Sequence, residues 1–112
     1  QTLQRLQAAM EEEQVYLDPG LSLGDLAKKT GTHANYLSRL INEHFDMSYN
    51  DYVNNYRIKE ACARLTDPAN SSKTILEILY DTGFYSKSVF NTAFKKFTGM
   101  TPSAFRKKHT PA

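Results

Sequence analysis

One pattern occurs twice in this 112-residue chain, and the repetition restricts its fold more than any other feature. Ser22-x-x-Asp25 has the form of a capping box, in which a hydroxyl and a carboxylate satisfy amides left free at a helix start. Leu23, Leu26 and Ala27 follow on one face, and Gly31 closes the short helix. Thr74-x-x-Glu77 repeats the box 52 residues later, and Ile75, Ile78 and Gly83 repeat Leu23, Leu26 and Gly31 at the same offset. A second apolar run follows each turn. Leu37, Leu40, Ile41 and Phe45 recur at helical spacing, and Phe90, Ala93, Phe94 and Phe97 echo them with one residue inserted in the turn.

The segments around the repeat are helical too. Leu3, Leu6 and Met10 make an amphipathic first helix, which Pro19-Gly20 separates from the first capping box. A longer helix is predicted from near Ser48, with Asp51 in the supporting position, to about Thr66. It carries two apolar stripes on opposite faces: Tyr49, Tyr52, Val53 and Tyr56, then Ile58, Ala61, Cys62 and Leu65. That arrangement suits a helix bridging two small bundles. Asp67-Pro68 and Asn70-Ser71-Ser72 form a loop, and Thr101-Pro102 starts a last helix reaching about Lys108. No segment alternates with period two. The expected fold is all-α, with about seven helices in one domain: a first helix-turn-helix subdomain over 1–47, a bridging helix over 48–66 and a second such subdomain over 67–112.

A short helix, a glycine-containing turn and a second amphipathic helix is the helix-turn-helix pattern. In DNA-binding versions the first helix crosses the backbone and the second lies in the major groove. Helical hairpins without DNA share this spacing, so charge becomes relevant. Residues 1–56 carry 4 Lys and Arg against 8 Asp and Glu, whereas residues 57–112 carry 10 against 4. Two units in one short chain, the second strongly positive, favour a polyanionic partner.

Other classes find little support. A composition 40% hydrophobic and 23% charged is not that of a disordered chain. No apolar run approaches transmembrane length. The single cysteine, Cys62, permits neither an internal disulfide nor a cysteine-based zinc site, and a cytoplasmic setting is the simplest reading. Its place on an apolar face makes it a small core residue. His33, His44 and His109 lack metal-ligand spacing, and no nucleophile motif or phosphate loop occurs, so neither catalysis nor a cofactor is expected. Phe90, Phe94 and Phe97 are read as core. The chain begins with Gln1 and is read as a piece of a longer protein.

Specific residues carry a resemblance. Gly83-Phe84, Ser88-Val89-Phe90, Phe94-Lys95-Lys96, Gly99-Met100-Thr101-Pro102 and Arg106 stand at the spacing of one family. Leu26-Ala27, Tyr36-Leu37-Ser38-Arg39 and Tyr56-Arg57-Ile58 ahead of Ala61 support them. From Leu21 to Lys108 the chain resembles the DNA-binding domain of AraC/XylS-family bacterial transcription regulators, with wording most like the Bacteroidetes versions. Three departures carry expectations. Asp46 replaces the glycine that usually ends the first unit, so that corner is expected to be built differently. Leu79 replaces a usual alanine and is expected to spread the second helix pair or change its crossing angle. Thr32-His33 stands where a serine usually caps the first recognition helix.

The resemblance implies roles. Asn35, Ser38 and Arg39 of the first recognition helix, and Lys87, Ser88, Asn91 and Thr92 of the second, align with base-reading positions. Arginine can bond guanine bidentately and asparagine adenine. Tyr85, Ser86 and Lys95 align with phosphate contacts. The implied partners are double-stranded DNA, RNA polymerase and a separate sensor or dimerisation domain, with no membrane contact. The bridging helix should space the reading helices by close to one duplex turn, roughly 34 Å. No spare apolar stripe supports an obligate dimer. The alternative is a helical protein-interaction module without DNA binding, for which the Glu11-Glu12-Glu13 cluster offers a surface.

Overall fold

Each repeated box closes as a helix start in the computed structural model, which describes residues 1–109. Ser22 Oγ accepts from the Asp25 amide at 3.0 Å and the Asp25 carboxylate accepts from the Ser22 amide at 3.4 Å, opening α2 (Leu23–Lys29). Thr74 and Glu77 make the same pair at 3.0 Å and 3.0 Å, opening α5 (Ile75–Asp81). Both helices end alike. Thr30 and Thr82 are buried, and each donates its hydroxyl to the carbonyl four residues back, at 2.9 and 2.8 Å. The amides of Thr32 and Phe84 then return to Ala27 and Leu79, the closing bond of a glycine-terminated helix.

The second helices are α3 (Ala34–Phe45) and α6 (Lys87–Thr98). Their ends correct one expectation. Asp46 takes a left-handed conformation (φ 57°), as Gly99 does (φ 76°), and both amides bond the carbonyl four residues back, to Asn42 and Lys95. The corner is built the same way in both units, because aspartate enters the left-handed region at modest cost among non-glycine residues. Ser86 Oγ caps α6 by accepting from the Val89 amide at 3.3 Å, whereas His33 gives α3 no side-chain cap.

α1 (Thr2–Glu11) packs Leu6 and Met10 inward and stops at Glu11, leaving Glu12 and Glu13 beyond the helix. A 3-10 turn over Val15–Leu17 follows and buries Tyr16, an element the spacing of apolar residues does not announce. α7 (Pro102–His109) starts on Thr101, whose hydroxyl accepts from the Ala104 amide at 3.1 Å.

α4 (Tyr49–Leu65) carries its two stripes into two separate cores. Tyr52 and Val53 join Leu6, Met10, Leu26, Leu37 and Ile41, while Ile58, Ala61 and Leu65 join Ile78, Leu79, Phe84, Phe90 and Phe94. Among the described residues the fold is all-α: seven helices, two helix-turn-helix subdomains and a bridging helix. Phe45 is 39% exposed rather than core; its ring covers the helix end 4.8 Å from that of Tyr52. Leu79 is buried, and α5 packs against α6 more sparsely than α2 does against α3. Two bodies joined end to end by one helix give an elongated shape, 48 × 23 × 22 Å.

Candidate nucleic-acid interface

α3 and α6 bury equivalent faces, so their outer faces can be matched residue by residue at an offset of 53. Leu37 and Phe90 are wholly buried at matching positions. Two residues beyond each, about 200° round the helix, Arg39 and Thr92 point away from the core and are exposed. Asn35 and Ser88 are likewise exposed, one turn earlier on the same face. Lys87 and Asn91 are exposed on α6, whereas Ser38 is only half-exposed, on the flank of α3. Arg39 lays its guanidinium 5.8 Å from the Tyr36 ring and, among the described residues, makes no ion pair. Its fork is exposed and open to a ligand.

The α5–α6 turn brings the remaining predicted residues to the start of α6. Tyr85 is 73% exposed. The Ser86 oxygen accepts the capping bond, so its hydroxyl proton remains able to donate outward. Lys95 is exposed one turn beyond Asn91. The register also exposes a residue outside the set expected from the sequence. Asn42 is the counterpart of Lys95, exposed on the outer face of α3. Extending the repeat by one turn finds it. The two faces differ in charge, since α6 presents Lys87 and Lys95 where α3 has Ala34 and Asn42.

What holds the two faces together is largely hidden in the sequence. Arg57, halfway along α4, donates from Nε to the Tyr16 carbonyl at 2.7 Å and from Nη2 to the Asp18 carbonyl at 2.9 Å. Its guanidinium also lies 5.9 Å from the Phe84 ring of the second unit. Burial lowers its pKa from the usual guanidinium value, but hydrogen bonds to backbone carbonyls suit the charged form. Gly83 completes the junction. It sits at φ +97°, and any side chain there would collide with the Tyr16 carbonyl and stand 2.7 Å from Arg57 Nε. On the other side Lys96 of α6 pairs with Asp51 of α4 at 2.6 Å. Asp51 therefore supports the start of α4 only through its amide, which donates to Ser48 Oγ; its carboxylate serves the link to the second unit. These contacts hold α6 in place relative to α3.

The acidic cluster is mostly engaged internally. Glu11 accepts from the Tyr56 hydroxyl at 3.2 Å, and Glu13 pairs with Lys29 at 2.7 Å. Cys62 is half-buried, and desolvation pushes its thiol up to about 11. No helix among the described residues is long and apolar enough to cross a membrane.

Known proteins share this architecture. The family model described as "Helix-turn-helix domain" matches residues 26–108. The melibiose operon regulatory protein of Escherichia coli is 32% identical over 90 residues, covering 80% of this chain and 29% of that protein. The Msm operon regulatory protein of Streptococcus mutans is 33% identical over 88 residues, covering 79% and 31%. The chain thus spans under a third of the length of these relatives. In fold it matches a transcriptional regulator from Chromobacterium violaceum described as having an AraC-type DNA-binding domain. The TM-score is 0.80 at 23% identity, covering 96% of this chain and 94% of that one. With two helix-turn-helix units on one bridging helix and a family match over most of its length, the chain belongs to the AraC/XylS family of helix-turn-helix DNA-binding domains.

Proposed function

We infer that the domain reads duplex DNA sequence-specifically, with α3 and α6 in successive major-groove segments, as the output module of a bacterial transcription regulator. The observation that carries this reading is the matched outer face. At equivalent positions two helices expose Asn35, Arg39 and Asn42, and Ser88, Thr92 and Lys95, and bury the opposite side. Arg39, Asn35 and Ser38 read bases from α3; Lys87, Ser88, Asn91 and Thr92 read them from α6. Tyr85, Ser86 and Lys95 hold phosphates, where a hydroxyl, a helix start and a cation serve. The 48 Å long axis of the domain is longer than the roughly 34 Å rise of one duplex turn, which leaves room for the two helices to lie along one face of DNA.

The domain acts as a monomer in the cytoplasm. In the whole protein, a sensor or dimerisation domain controls binding, and the bound domain recruits RNA polymerase. Relatives about three times longer than the matched segment leave room for such a domain. The rival reading, a protein-only module, loses support because Glu11 and Glu13 are engaged within the chain.

The test is a binding series across salt on a selected duplex and its scrambled version. Arg39→Ala should cost about 1–3 kcal/mol on the selected site and relax preference at one base pair. Lys95→Ala should weaken both duplexes alike and lower the salt slope by about one phosphate contact. The opposite pattern would show the reading face is misassigned, and no salt-sensitive retention would favour the protein-only module.

A further inference from the structure

The repeat pairs two residues of different chemistry. At the offset of 53, His33 of the first unit is the counterpart of Ser86 of the second, and each stands immediately before its reading helix. Ser86 uses its oxygen to cap α6, accepting from the Val89 amide at 3.3 Å. His33 makes no such bond. Its exposed ring has no hydrogen bond, ion pair or ring contact among the described residues. The first unit therefore presents a free imidazole at the place where the second presents a hydroxyl to the duplex.

The other two histidines are placed differently. His44 lies near the far end of α3, its ring edge-on to Phe45 at 4.7 Å. His109 donates from Nδ1 to the Phe105 carbonyl at 2.9 Å, on α7. Around α3, helices α2 and α4 pack against it, and Arg5 of α1 reaches the turn at Gly31. Of the charged groups these elements bring, Lys29 is paired with Glu13 and Asp51 with Lys96. The Asp25 carboxylate accepts from the Ser22 amide. Arg5 and Lys28, and Arg39 further along α3, make no ion pair among the described residues. No carboxylate is therefore bonded to the His33 ring, and it is open to an anion from outside the chain.

We propose that His33 holds a backbone phosphate of the duplex and takes up a proton from the buffer as it does so, so that the first unit grips DNA more tightly at pH 6 than at pH 8. The proposal rests on the DNA-reading function inferred above. A neutral imidazole offers a phosphate oxygen one N–H donor; the protonated ring offers the same bond with a full charge behind it. Histidine is the side chain whose charge ordinarily changes between pH 5 and 8, and a neighbouring anion favours its protonated form. Ser86, a hydroxyl, has no charge to change in that interval. The two units thus share an architecture and answer pH differently.

The test titrates a selected duplex and its scrambled version at pH 8 and pH 6 across salt, with the unaltered chain and with His33→Ser. That substitution writes the second unit's residue into the first, and serine is a favoured residue at a helix start, so the fold is kept. The unaltered chain should bind on the order of tenfold more tightly at pH 6, the effect of a titration midpoint moved by about one unit. Its salt slope should steepen by about one phosphate contact over the same change. His33→Ser should lose both responses, and every other titrating group is common to the two proteins. Both duplexes should show the effect, because phosphates carry no sequence. Imidazole resonances followed by nuclear magnetic resonance supply a second readout: duplex should raise the titration midpoint of His33 and leave those of His44 and His109 in place. An equal pH response in the two proteins, or a His33 midpoint unmoved by duplex, would overturn the proposal. A response confined to the selected duplex would put the ring on a base and overturn the phosphate assignment. DNA binding with a flat pH response refutes this contact alone, whereas no DNA binding at either pH refutes the DNA-reading function and the contact with it.

Discussion

Replacing Gly83 with alanine tests the junction that sets the two reading helices, and Gly99→Ala supplies its control. Both glycines hold positive φ, +97° and +76°, so both substitutions carry the left-handed cost of roughly 1–2 kcal/mol. Only Gly83 has neighbours. A methyl group there runs into the Tyr16 carbonyl and the Arg57 Nε, whereas nothing lies within 4 Å of the same group at Gly99. Relieving the clash means moving Arg57 off Tyr16, which forfeits a charged hydrogen bond of about 1.5–3 kcal/mol. Gly83→Ala should therefore cost about 2.5–5 kcal/mol and Gly99→Ala about 1–2 kcal/mol. In a domain of this size each 1 kcal/mol lowers the melting temperature by about 4–8 °C, so thermal melts by circular dichroism separate the two. A cycle with Arg57→Ala adds a second check, because the excess cost at Gly83 should shrink once its side-chain neighbour is gone. Equal destabilisation by the two glycine variants would mean that backbone strain alone accounts for both and that the Tyr16–Arg57 junction does not resist a side chain at Gly83.

Phe94→Ala removes a wholly buried ring whose centroid lies 5.5 Å from that of Phe90. It should cost about 3–5 kcal/mol and unfold the second unit, read as loss of the cooperative two-unit melt. Glu77 has its pKa lowered from 4.5, chiefly by the hydrogen bond from the Thr74 amide. Its contribution to stability is complete above its unfolded pKa and is lost as pH falls through the folded one. The melting gap between the unaltered chain and Glu77→Gln should thus hold from pH 7 to about 5 and close below; a constant gap down to pH 3 would exclude this capping role. Cys62, with its thiol raised to about 11, should resist alkylation at pH 7.5 until the chain unfolds, as followed by mass spectrometry.

Much of the fold is legible because local chemistry and tertiary packing agree. The two stripes of α4 separate into two cores as their angular positions require, since opposite faces of one helix cannot join one core. The capping boxes form because their bonds are local. Thr30-Gly31 and Thr82-Gly83 stand 52 residues apart and end their helices with the same bonds, so the threonines belong to the repeat as much as the glycines do. The 3-10 turn around Tyr16 is not legible: Gln14 before it takes φ 52°, and the carbonyls of Tyr16 and Asp18 are held by Arg57, some forty residues away. Phe45 and Asp46 show the limits of pattern. An apolar residue at the end of a stripe lies where the core runs out, and aspartate reproduces a glycine corner that composition alone would doubt. The outer-face residues follow from the burial of Leu37 and Phe90, and Asn42 needs only the repeat carried one turn further.

Sequence-specific reading by this domain requires both units to engage one duplex together. Backbone amide shifts of the isotope-labelled chain, monitored as a duplex of about two helical turns is added, test it most directly. Asn35, Arg39 and Asn42 of α3 should shift in step with Ser88, Asn91 and Lys95 of α6, at one stoichiometry and with one affinity. Shifts confined to one unit, or gathered around α1 and its glutamates, would contradict it.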